Sequence, residues 1–154
     1  MKKVLISILF LATVLSLSHS AAGQAGSNSL NDQLIQAAKT GDTAAVRQLL
    51  AKGANIEAKD NTGETALIWA AIYGRTDLVK LLLQKGANIE AKDNDGDTAL
   101  INAAIKGETE VVKLLLDKGA NIDARDNKGE TALTMAVSKG KTDVVKLLQE
   151  KGAH

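Results

Sequence analysis

Between Thr65 and Lys92 the apolar residues fall into two helical stripes separated by one glycine. Leu67, Ala70 and Ala71 lie three and four positions apart, which puts them on one face of a short helix opening at Thr65. Beyond Gly74, the spacing of Leu78, Val79, Leu82 and Leu83 predicts a second helix over Thr76 to Gln84, closed by Gly86. Asp60-Asn61-Thr62-Gly63 ahead of the pair is turn chemistry, because Asn and Gly accept the left-handed backbone of a tight turn.

The same layout recurs. Thr-Ala-Leu at Thr65 returns at Thr98 and Thr131, always 33 residues on, and Leu82/Leu83 have counterparts at Leu49/Leu50 and Leu115/Leu116. Gly86 matches Gly53, Gly119 and Gly152 at that interval. A helix pair this small cannot bury its own apolar faces, so a fixed period predicts repeats stacked on one another. Composition agrees: 45% of residues are hydrophobic but only 2% aromatic, so the core must be aliphatic and spread along the chain.

These segments resemble ankyrin repeats. The family pattern D-x-x-G-x-T-P-L-H-x-A-A-x-x-G is met by DNTGETALIWAAIYG from Asp60, DNDGDTALINAAIKG from Asp93 and DNKGETALTMAVSKG from Asp126. The resemblance implies an all-α solenoid of four helix-turn-helix repeats with hairpin-like loops, at 31–59, 60–92, 93–125 and 126–154. Two departures stand out: the family's Pro is Ala66, Ala99 and Ala132, and its His is Ile68, Ile101 and Thr134. Since those residues rigidify and tie the turn, looser loops are expected.

The terminal repeats look like caps. Gln48 stands where the others have Leu81, Leu114 and Leu147, and Gln149 where they have Leu50, Leu83 and Leu116. A polar residue there limits the apolar area an end leaves in water, and the array is expected to be complete at four. Ahead of it, Lys2 and Lys3 precede the apolar run Val4 to Leu17, and small residues follow up to Ala22. This is the layout of a cleaved secretory signal at 1–22; the run is too short for a membrane anchor, which needs roughly 20 apolar residues. A flexible leader at 23–30 follows, and no stable membrane insertion is expected after cleavage. The periplasm or the medium is the expected location.

Charge and chemistry narrow the function. Nineteen bases against eighteen acids leave +1, with none of the basic stripe that neutralises phosphates, so no nucleic acid is expected. The chain has no cysteine, and its two histidines are His19, in the signal, and His154. Asp93-Asn94-Asp95-Gly96-Asp97 superficially resembles a calcium loop, but Thr98 and Ala104 occupy the sixth and twelfth positions, where Gly and Glu are required. Glu57, Glu90 and Asp123 recur at one repeat position, as structural residues do. No catalytic residue, metal or cofactor is expected. Lys59, Lys92 and Arg125 form a ladder open to two readings, a polyanion-binding edge or solvated bases balanced by Asp60, Asp93 and Asp126; the adjacent acids favour the second.

What remains is a binding protein, expected to be monomeric, with an unidentified protein partner that it holds or inhibits. The alternatives are a secreted effector that binds a host or competitor protein and an accessory subunit of an envelope enzyme. Trp69 and Tyr73, four apart on one helix, are the aromatic residues of the mature chain. In ankyrin proteins the slot of Ile72 and Tyr73 faces the concave groove. Asn102, Lys106, Met135 and Lys139 are the counterparts of Trp69 and Tyr73 next door, and Asn61, Thr62, Glu64, Asn94, Asp95, Asp97 and Lys128 are expected at the rim. The competing reading of Trp69 is that it fills space between first helices.

Overall fold

The computed structural model describes residues 29–154. The expected signal and nearly all of the leader, residues 1–28, lie outside the described residues. Among the described residues there are eight helices and no strand: α1 (Leu30–Thr40), α2 (Thr43–Ala51), α3 (Ala66–Ile72), α4 (Thr76–Gln84), α5 (Ala99–Lys106), α6 (Thr109–Asp117), α7 (Ala132–Ser138) and α8 (Thr142–Glu150). They pack as four successive pairs, with α1, α3, α5 and α7 in one row and α2, α4, α6 and α8 in another. Among the described residues no helix is long and apolar enough to cross a membrane.

Local chemistry sets the helix ends. The hydroxyls of Thr65, Thr98 and Thr131 accept from the backbone N–H of Ile68, Ile101 and Thr134, and such a cap contributes about 1 kcal/mol. Ser29 and Asp32 form a capping box ahead of α1, so Leu30 belongs to the first helix rather than to the leader. The helices α4, α6 and α8 have no side-chain cap, but Asp77, Glu110 and Asp143 put negative charge in their first turns, at the positive end of the helix dipole.

The two rows differ in what they bury. Ala66, Ala70 and Ala71 of α3 and Ala99, Ala103 and Ala104 of α5 are fully buried, and their short side chains let the first helices approach closely. The second row is spaced by larger groups such as Leu78, Val79, Leu81 and Leu82. The first helices therefore lie in closer contact with one another than the second helices do, and their solvent side is the inner face. Leu81 belongs to this core, while Leu83, placed by its spacing in the buried stripe, is half-buried.

The departures from the family pattern are absorbed by packing and by aspartate. Ile68 and Ile101 are fully buried. Asp60 Oδ1 accepts from the backbone N–H of Thr62 and Glu64 and from the Thr62 hydroxyl. Asp93 Oδ1 and Asp126 Oδ1 close the next two loops in the same way, through Asp95 and Asp97 and through Lys128 and Glu130. The loops are thus tied without the family's proline or histidine.

Residues one repeat apart also tie the repeats together. The Asn94 side chain donates to the Asn61 carbonyl at 3.2 Å and that of Asn127 to the Asn94 carbonyl at 3.0 Å. Glu57 and Glu90 accept from the backbone N–H of Asn88 and Asn121 at 2.7 and 2.8 Å, which gives their recurrence a structural cause. The basic ladder behaves differently from either reading. Lys59 donates to the Lys92 carbonyl at 2.6 Å and Lys92 to the Arg125 carbonyl at 2.8 Å, so these ammonium groups staple neighbouring loops instead of pairing with the adjacent acids. The stacking leaves no room beside the turn glycines: a Cβ on Gly63 would come within 2.5 Å of Asn94 Oδ1, and one on Gly96 equally close to Asn127 Oδ1. Both glycines also hold φ above +80°.

The two ends are unlike. At the first repeat Gln33, Ala45 and Gln48 replace residues that the inner repeats bury, namely Ala66, Leu78 and Leu81. At the fourth, Gln149 is exposed as a cap should be. Val137, however, is 60% exposed at the position where Ala38, Ala71 and Ala104 are fully buried. The polar cap expected at that end is therefore partial.

Candidate partner-binding face

Asp60 and Asp93, having spent one oxygen on their own turns, turn the other toward the first helices. Asp60 Oδ2 receives the Trp69 indole N–H at 2.8 Å and the Lys39 ammonium at 3.3 Å. That ammonium also lies 4.0 Å from the centre of the Trp69 ring, a cation–π contact. Tyr73 stacks on Trp69, with ring centres 5.7 Å apart and planes inclined by 15°. The two aromatics thus share a helix face, but not as equals. Trp69 is half-buried and pinned from two sides, whereas Tyr73 is 48% exposed. Space-filling between first helices describes Trp69 well, and the projecting ring is Tyr73.

Burial alone would raise the Asp60 carboxyl, but hydrogen bonds from Thr62, Trp69 and the backbone outweigh it and hold the group well below the usual carboxylate range. Glu64, beside it, is pushed up by burial and by the Asp60 charge. One repeat on, the Asn102 amide takes the place of the indole and donates to Asp93 Oδ2 at 2.9 Å. Asp97 is buried, and burial together with Asp93, Asp126 and Asp95 pushes its carboxyl up to about 6, with Lys128 acting the other way. Among the described residues neither Glu64 Oε2 nor Asp97 Oδ1 has a hydrogen-bond partner. In the fourth repeat Met135 occupies the indole position and has no donor to offer.

Of the groove residues anticipated from sequence, Tyr73, Lys106 and Lys139 are exposed one repeat apart, and Ile72 and Met135 are half-buried. Asn102 is a correction: at 8% exposure it is turned inward to hold Asp93, so its amide is committed to the fold. At the rim, Asn61, Thr62, Asn94, Asp95 and Lys128 are exposed and Glu64 is half-buried. Asp97 is a second correction, with 7% exposure beneath the hairpins. Lys39 was missed altogether, although it precedes Ile72 by one repeat and that register could have found it.

The family profile for ankyrin repeats (3 copies) matches residues 11–93 and 89–154. The chain belongs to the ankyrin-repeat family. No curated protein matches it. Ankyrin repeats are protein–protein interaction modules, and in this ankyrin stack the inner face carries a projecting tyrosine between acidic hairpins and exposed lysines.

Proposed function

We propose that this ankyrin-repeat protein is an exported, non-enzymatic binding module that holds or inhibits a partner protein on the inner face formed by its first helices and hairpin tips. The observation that carries the reading is Tyr73. The residue is 48% exposed and its ring is stacked on a tryptophan that is itself pinned, so it is ordered before anything binds. Exposed aromatic residues on rigid supports are common hot spots, because little side-chain entropy is left to lose on binding. Around it Lys106, Lys139, Asn61 and Thr62 offer polar contacts. Export rests on Lys2, Lys3 and the apolar run from Val4 to Leu17.

Site-specific photocrosslinking tests the face. With p-benzoylphenylalanine at position 73 in the native cell, one protein should be trapped, and with the same group at Lys80 on α4 it should not. Equal trapping at both positions, or none at 73, would remove the assignment. N-terminal sequencing of the protein recovered from the cell envelope or medium tests export; a chain still starting at Met1 would refute cleavage.

A further inference from the structure

The four carboxylates at the junction of the third and fourth hairpins lack matching positive charge. Asp93 and Asp97 are held together, since Asp93 Oδ1 accepts from the Asp97 backbone N–H at 2.9 Å. Asp95 sits on the same turn, with its carbonyl accepting from Asn127 N–H at 3.0 Å. That bond brings the next hairpin, with Asp126 and Lys128, onto this one. Lys128 acts on Asp97 against Asp93, Asp126 and Asp95. The second repeat shows the compensated version, in which Lys39 reaches Asp60 at 3.3 Å. The residue in the same register relative to Asp93 is Ile72 of the second repeat, which carries no charge.

Asp97 adds a second observation; Glu64 Oε2, at the same position of the second repeat, is likewise without a partner but belongs to a half-buried residue. Asp97 is 7% exposed, and its Oδ1 has no hydrogen-bond partner among the described residues. A buried carboxylate oxygen without a donor costs free energy that a folded chain ordinarily avoids. No three acidic side chains among the described residues converge closely enough to ligate one metal ion. A donor that is larger than an ion and carries several N–H groups fits better, as a guanidinium does.

We propose that the Asp93–Asp95–Asp97–Asp126 cluster receives an arginine-bearing, basic segment of the partner protein. This rests on the reading of the inner face as a protein-binding surface and adds the chemistry of what is bound. Exposed Asp95 makes the first contact, and the guanidinium supplies to this junction the positive charge that Lys39 supplies to the one before. Because the bound cation favours the ionised form of Asp97, binding near pH 6 releases a proton. The groups facing Asp97 that set this response are Asp93, Asp95, Asp126 and Lys128.

The test is titration calorimetry of the whole chain with hexaarginine and, as the opposite charge, hexaglutamate, at pH 6 in low salt. Hexaarginine should bind saturably and hexaglutamate should not. Asp95→Asn with Asp97→Asn should weaken hexaarginine binding about tenfold, whereas Glu110→Gln with Asp143→Asn, which removes the same charge from the second helices, should change it less than twofold. Measured in two buffers of different ionisation enthalpy, proton release should vanish in Asp97→Asn alone, a variant whose fold circular dichroism can verify. Equal weakening by both double variants, absence of hexaarginine binding, or proton release that persists without Asp97 would each overturn the proposal. Trapping at position 73 reads the face separately: a partner captured there while hexaarginine ignores the cluster would leave the binding face standing and remove its basic ligand.

Discussion

In the second repeat the free oxygen of the hairpin aspartate meets an indole and an ammonium, Trp69 at 2.8 Å and Lys39 at 3.3 Å; in the third it meets the neutral Asn102 amide at 2.9 Å. The loops are otherwise alike, closed by the same aspartate through the same backbone bonds. Asp60 is held below the usual carboxylate range because donors outweigh its burial. The acid four residues on is pushed up in both repeats, Glu64 by burial and the Asp60 charge, and Asp97 by burial together with Asp93, Asp126 and Asp95, to about 6. One fold position therefore has two settings: an indole and an ammonium meet the aspartate and fix an aromatic platform in the second repeat, and a neutral amide meets it in the third.

The largest break in that comparison should come from the platform. Trp69→Ala removes a half-buried ring and leaves Asp60 without its indole donor, so urea unfolding should show a loss of about 2 to 3 kcal/mol, short of the cost of a fully buried aromatic. Trp69→Phe separates the parts by keeping most of the packing and losing the hydrogen bond.

Next in size is Asn102→Ala, which leaves Asp93 Oδ2 without its amide in the third repeat. A loss of about 1 to 2 kcal/mol is expected from the unmet acceptor. A near-neutral result would mean that Asp93 finds water there, and that the burial of Asn102 reflects packing alone.

Asp97→Asn should act in the opposite direction, stabilising the protein by about 1 kcal/mol at pH 7.5 once solvent screening is allowed for. The sign follows from the raised pKa. Below the ordinary value of 3.8 the group is protonated in both the folded and the unfolded chain. Between about 4 and 6 the unfolded chain gives up the proton while the folded one keeps it, so stability falls as pH rises through that window. The amide that replaces Asp97 in the variant cannot titrate, and the difference between variant and parent should open between pH 4 and 6 and then stay level. Asp60 has the opposite slope: its contribution is present at neutral pH and is lost as pH falls below the ordinary carboxylate value.

The smallest effect is expected for Lys39→Met, which keeps the apolar stem against Trp69 and removes the charge. A loss of about 0.5 kcal/mol is expected in low salt, and it should shrink as salt is added. With the cation gone, Trp69 emission should shift, because Lys39 lies over its ring.

The ends of the stack make a related point about what a pattern can hide. Gln48 and Gln149 are visible as polar replacements within the 33-residue register, and both are exposed. Val137 reads as one more conservative apolar residue beside Ala71 and Ala104, yet among the described residues it is the most exposed of the large hydrophobic side chains. Pattern records what a position usually packs against, and the fourth pair has no neighbour on that side among the described residues.

The sequence by itself determined the family, the four helix pairs, the bounds of α4 and the pairing of Trp69 on α3 with Tyr73 at its C-terminal cap, since each depends on spacing within a few turns of one segment. It also carried the register of Lys59, Lys92, Glu57 and Asn94, but not their partners, because a ladder along the stack joins atoms 31 to 33 residues apart. Tertiary structure alone decided that Asn102 faces inward, that Trp69 is pinned while Tyr73 projects, and that Asp97 is buried among like charges. Those outcomes depend on which hairpin lies over which helix and how much water remains between them. Residue type and period leave that undetermined: Trp69, Asn102 and Met135 share one repeat position, and its surroundings give each a different role.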